Sequence, residues 1–198
     1  QMCKAHFRDS VVAISHRWEG PKEPDPEGDQ LRAVQKYLEA NREVQFVWYD
    51  YWCMPQGNDK SAADKKHFDH MLKHVNLLYL GCSVLVLMDV SFVSRFWTLF
   101  EAWLSMQQPD PNSGLRPAVE GEQRWEIEMI HNASQSLKEQ LLAMVGGKSP
   151  AQVSEMLSKN DIAVTNQKDK KMMLEKVKGL DEEVRRGFEA ANERVKES

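Results

Sequence analysis

Two kinds of apolar pattern alternate along the first hundred residues. Short unbroken β-branched runs predict strands, and apolar positions spaced three or four apart predict helices. Ser10–Ile14 (SVVAI) reads as a buried strand that stops at the polar cluster Ser15-His16-Arg17-Trp18-Glu19. Pro21, Pro24, Pro26 and Gly28 keep the next stretch in a loop. Asp29 is the expected N-cap of a helix whose Leu31, Val34, Tyr37 and Leu38 share one face. Val44–Tyr49 (VQFVWY) predicts a second strand, ended by Asp50 and a loop through Pro55 and Gly57. Ser61 is placed to cap a helix carrying Phe68, Met71, Leu72, Val75 and Leu78. Val84–Met88 (VLVLM) lacks alternation, as a central strand covered on both faces does. An aromatic helix, Phe96 to Met106, follows Ser94.

The second half is less sharply patterned. Pro109–Gly114 reads as a turn-rich linker and Trp125–Ile130 (WEIEMI) as a fourth strand. Leu137–Val145 and Ala151–Leu157 predict short helices on either side of Gly146-Gly147. Ile162–Val164 is the expected fifth strand. Asp169–Val195 reads as one long charged helix with a stripe at Met173, Leu174, Val177, Leu180, Val184 and Phe188. Strand–helix alternation of this kind predicts an α/β fold built on a parallel, doubly wound sheet. Residues 1–108 hold the first three strands. Residues 109–198 hold the remaining elements of the same domain and a helical C-terminal extension.

Composition narrows the function classes. The 198 residues carry 28% charged side chains and a formal charge of −4. The pI is near 5.9, so no global attraction to nucleic acid or to an anionic membrane is expected. The longest apolar run, around Cys82–Met88, falls well short of the ~20 residues of a membrane-spanning helix. Cys3, Cys53 and Cys82 show no CxxC pairing, which suits reduced thiols and a cytoplasmic setting. A start at Gln1 without a signal-peptide pattern is expected of a domain cut from a longer protein.

Ligands of open parallel sheets bind beyond the carboxyl ends of the strands. Three polar clusters fall at such ends: Ser15–Glu19, Asp50–Gln56 and Asp89–Trp97. Trp18, Trp48, Trp52, Trp97 and Trp103 surround them, and aromatic faces suit a flat heterocycle. Phosphate loops, dinucleotide fingerprints and nucleophile elbows are absent, and Cys53 has no identifiable base. His67, His70 and His74 share a helical stripe without the Glu of a zinc-protease motif, so a solvated face is expected and no metal.

Three of these segments carry a resemblance. VVAISHRWE resembles the first strand and loop of a TIR domain, and FVWYDYWCMPQG its second strand and loop. The latter is still more similar to the heterokaryon-incompatibility (HET) signature, aromatic-x-Asp-x-x-Cys-x-x-Gln, matched in part by Asp50, Cys53 and Gln56. SRFWTLFEAW resembles the TIR segment Ser-x-Trp-Cys-x-x-Glu-Leu, with Trp97 and Glu101 at the matching spacing. Phe96 is an extra residue there, Thr98 replaces Cys, and Ala102 replaces Leu. The likeness spans residues 10–107.

The resemblance implies a flavodoxin-like, three-layer fold with about five parallel strands. It also implies one of two roles. Many TIR domains cleave NAD at the nicotinamide–ribose bond with the glutamate matched by Glu101, in immune or stress signalling; others only self-associate and recruit partners. On the first, NAD is substrate and not cofactor, and homotypic association is expected. Pyridinium leaves as a neutral molecule, so one carboxylate steadying the oxocarbenium suffices. The alternative for Glu101 is a helix-start carboxylate favoured by the dipole. Trp97 either stacks on a substrate ring or packs in the core. Arg17 either pairs with a pyrophosphate or with Asp50 or Asp89. His16 and Ser15 lie beside it, His16 with a structural hydrogen bond as its other reading. Asp50 either contacts ribose or fixes its loop, and Trp18 and Trp52 contact ligand or partner. A nucleoside-glycosyl transferase or hydrolase is a further reading.

Overall fold

The computed structural model describes residues 8–57 and 59–196; Cys3 lies outside them. The chain is α/β. Four parallel strands, β1 (Val11–Ser15), β2 (Phe46–Trp48), β3 (Ser83–Met88) and β6 (Trp125–Met129), form a sheet in the order β2-β1-β3-β6. A separate two-stranded ribbon pairs β4 (Gln107–Asp110) with β5 (Gly114–Pro117) in antiparallel fashion.

Side-chain alternation along the central strands divides the core in two. Val12 and Ile14 of β1 and Leu85 and Leu87 of β3 point to one face. There they meet Ala33 and Val34 of α1 (Asp29–Ala40) and Tyr49. Ala13, Val84, Val86 and Met88 point to the other face, against α3 (Ala62–Gly81) and α4 (Phe96–Ser105). Helix α4 is almost wholly buried, which accounts for its aromatic sequence: Phe96, Leu99, Phe100 and Trp103 have no solvent contact. Four further helices close that face: α5 (Gln135–Val145), α6 (Pro150–Ser158), α7 (Gln167–Lys178) and α8 (Leu180–Lys196).

Several expectations need correction. Ile162–Val164 is not a fifth strand of the sheet. It makes one parallel bridge, Ala163 to Arg95, in which Phe96 N donates to Ala163 O at 2.9 Å and Ala163 N to Ser94 O at 2.8 Å. The segment thus meets the backbone entering α4 and no strand edge. Pro109–Gly114 is not a bare linker: Pro109, Asp110 and Gly114 are paired in the β4–β5 ribbon, and 111–113 form its turn. Asp110 Oδ1 accepts from Asn112 N and Ser113 N, and Gly114 takes φ +87° hard against the Asp181 backbone, where no Cβ fits. The charged C-terminal stretch is two helices, broken at Gly179. Asp29 is the first helical residue; Gly28 is the cap position, and the Asp25 carboxylate accepts from Gln30 N and Leu31 N instead. The Asp50 loop opens with one helical turn, α2 (Asp50–Cys53). Ser61 caps α3 in a reciprocal box with Asp64.

One buried cation ties the helix ends together. Arg124 sits just before β6 and donates to the carbonyls of Tyr79, Cys82, Leu104 and Gln107. Tyr79, Cys82 and Leu104 lie at the C-termini of α3 and α4, where a positive charge is also favoured, and Gln107 opens β4. Burial lowers the Arg124 pKa to about 10. Arg124→Ala would strand these acceptors, and we expect it to cost at least ~3 kcal/mol, read from a urea midpoint with unchanged slope.

Candidate active site

Parallel pairing brings the carboxyl ends of β1, β2 and β3 to one edge of the sheet. Ser15 is the last residue of β1 and is fully buried. Its hydroxyl donates to Glu101 Oε2 at 2.8 Å. Glu101 lies in the second turn of α4, between the core residues Phe100 and Ala102, and keeps partial solvent contact.

The surroundings of this carboxyl are neutral or negative. Burial pushes Glu101 well above the usual carboxylate range. The Ser15 and Tyr79 hydroxyls oppose that rise, and the charge of Asp50 adds to it. Tyr79, from the buried end of α3, also donates to Ile14 O at 3.1 Å.

Asp50 is a hub. Its carboxylate receives Trp18 Nε1 at 2.9 Å and Tyr51 N at 2.6 Å, and lies 2.8 Å from His16 Nε2. Gln56 Nε2 donates to the Asp50 carbonyl at 3.1 Å. The loop-fixing part is therefore plain in the geometry. His16 stacks on Tyr49 with centroids 4.2 Å apart, and Tyr49 stacks on Trp52 at 4.5 Å. Trp52 ends this ladder with 63% exposure, so its outer face is open.

Arg17 is engaged: Nε meets Asp89 Oδ2 at 2.6 Å, and a second nitrogen donates to the Trp18 carbonyl. Of the two readings for Arg17, the ion pair with Asp89 is the one present. Trp97 packs edge-on against Phe96 and Phe100. Cys53 Sγ faces the Val47 carbonyl at 3.9 Å. His70 and His74 approach to 4.5 Å between rings, but among the described residues no three His, Cys, Asp or Glu groups converge on a metal position. Ser15, Asp50 and Glu101 line neither of two sizeable grooves. One, of about 550 Å³, lies between α6 and α7; the other, of about 330 Å³, lies between α1 and the end of β6.

Two participants were not singled out from sequence. Tyr79 is embedded in an apolar run, and nothing local shows its hydroxyl reaching Ile14. Gln30 is buried and carries a network: Nε2 donates to the Arg17 and Pro24 carbonyls and to Glu19, while Oε1 accepts from Tyr49 Oη. A polar residue in the first turn of an amphipathic helix is too common a feature to flag it.

Comparison with family models, curated proteins and solved structures gives no match to this chain.

The raised Glu101 has a thermodynamic consequence. The unfolded group ionises near the reference value of 4.5, while the folded group retains its proton to higher pH. Stability conferred by this site is therefore present below that value and is lost as pH rises through the folded pKa. Glu101→Gln keeps an acceptor for Ser15 but cannot ionise. We expect it to melt at least about 2–4 °C above wild type near pH 8, with the gap closing near pH 4.

Proposed function

We propose that this chain cleaves an N-glycosidic bond of a nucleotide, with NAD as the leading substrate and Glu101 as the catalytic carboxylate. One observation carries the reading: Glu101 is a half-buried residue whose desolvated carboxyl is held by the Ser15 hydroxyl at the end of β1, beside Asp50. A cationic pyridinium nucleotide bound there would supply the missing positive charge. It would draw Glu101 into its ionised form, expelling the proton. As the C–N bond lengthens, positive charge moves from the pyridinium ring to the ribose, and a desolvated carboxylate stabilises it more strongly than water does. Trp52 offers its open face to a flat ring. Arg17 would reach a pyrophosphate only by leaving Asp89. The strand order supports a flavodoxin-like fold, and the reading places the enzyme in the cytoplasm.

A second reading is favoured by the same carboxyl. Held protonated, Glu101 is an acid, and cleavage of a neutral nucleoside needs its leaving base protonated. The neighbouring Asp50 side chain would then be the stabilising partner. The exposed Phe46 on β2 and the exposed Trp52 suit the self-association expected of a signalling module.

Product chromatography with NAD and with purine and pyrimidine nucleosides, between about pH 5 and pH 9, separates these. The leading reading expects nicotinamide release that rises with pH as Glu101 ionises. It also expects a loss of about 10²–10³-fold in Glu101→Ala, with an unchanged circular dichroism spectrum. Nucleoside cleavage falling with pH selects the second reading. Turnover retained by Glu101→Ala removes this residue from catalysis, and self-association with no substrate consumed leaves the assembly module.

A further inference from the structure

His131 follows β6 and is held in an unusual way. Its backbone takes φ +51° and is the one described non-glycine residue in the left-handed region. A histidine pays strain there unless its surroundings hold it. Both ring nitrogens face carboxylates: Nε2 lies 2.8 Å from Glu19 Oε1, and Nδ1 lies 3.3 Å from Asp29 Oδ2. Only the Glu19 contact has hydrogen-bond geometry; a neutral imidazole leaves Asp29 without a charge to face, whereas an imidazolium donates to Glu19 and sets a positive Nδ1–H beside Asp29.

The partners belong to the segment that roofs the strand ends. Glu19 lies in the β1–α1 loop, and its Oε1 also accepts from Gln30 Nε2 at 3.1 Å. Gln30 in turn holds the Arg17 and Pro24 carbonyls of that loop. Asp29 opens α1 and is shared with Arg32. The other charged groups facing this corner are Asp89 at the end of β3, paired with Arg17, and the exposed pair Lys36–Glu128. Glu19 and Asp29 thus flank the exposed imidazole, with the charge of Asp89 farther off, against Arg17 and Arg32 as the fixed cations.

We propose that His131 is a proton-operated latch, which as imidazolium ties the segment after β6 to the loop Arg17–Gly28 and on losing its proton lets that loop open. The inference stands on these contacts and not on the glycosyl-cleavage reading. The neighbouring carboxylates, Glu19 foremost, raise the His131 pKa above the reference value of 6.5. For a group raised on folding, the stabilisation is whole below its unfolded value and is lost as pH rises through the folded one. The loop therefore loosens above about pH 6.5, in the opposite sense to an acid-triggered release.

Hydrogen exchange from about pH 5.5 to 8.5, corrected for intrinsic rates and referenced to β3 amides, tests this in the full chain. Wild type should lose protection several-fold in residues 17–28 across the range while the β3 amides hold. His131→Asn tolerates the left-handed backbone without a charge, and should show the weaker protection at every pH. Equal pH profiles in the two proteins overturn the proposal. So does an NMR midpoint for the wild-type His131 ring at or below the ordinary histidine value. Glu19→Gln should lower that midpoint, and no shift on this change also rules the latch out.

Discussion

The edge of the sheet is organised around a carboxyl that is expensive to ionise. Glu101 is placed on α4 because that helix must fill the space under β1 and β3 with Phe96, Leu99, Phe100 and Trp103. Once those residues are packed, position 101 is fixed against the end of β1, whatever its side chain. A carboxylic acid there meets Ser15 and Tyr79, which stabilise its anion in part, and Asp50, which opposes it. The fold would be better served at neutral pH by an amide. Such a local conflict is what a site held for chemistry looks like.

The contrast with Arg124 is instructive. Both residues bury a titratable group without a partner of opposite charge. Arg124 finds four carbonyls, three of them at the ends of α3 and α4, so its desolvation is offset by hydrogen bonds to acceptors that would otherwise be stranded. Glu101 has fewer compensating donors, the Ser15 hydroxyl foremost. One is a structural brace. The other leaves room for a further, positively charged partner.

Around that position the other polar residues are occupied. Asp50 receives Trp18 and Tyr51 and meets His16; Arg17 is bound to Asp89. They shape the rim, and His16 keeps its Nδ1 buried without a partner. Gln30 and Glu19 extend this rigid network into the β1–α1 loop, and His131 joins it to the fourth strand. Two titratable groups with raised pKa values therefore flank the strand ends, Glu101 on the α4 floor and His131 at one corner of the rim.

The strands β1, β2, β3 and β6, their parallel arrangement and the caging of the sheet by helices were legible in the sequence, because apolar runs and helical spacing are local signals of burial. So were the capping of α3 by Ser61 and the placement of Ser15 and Asp50 at strand ends, which follows from strand direction, whereas Glu101, on a helix, was named only through the resemblance. Tertiary contact decided the rest. Ile162–Val164 has strand composition but meets the backbone before α4; Pro109–Gly114 has turn composition but closes a paired ribbon. Whether Arg17 was held by Asp89, whether Tyr79 reached Ile14, and which carboxylates enclosed His131 depended on side chains far apart in the chain. Hydrophobic period is written residue by residue, whereas a hydrogen bond between distant residues exists only after the core has set the distance between them.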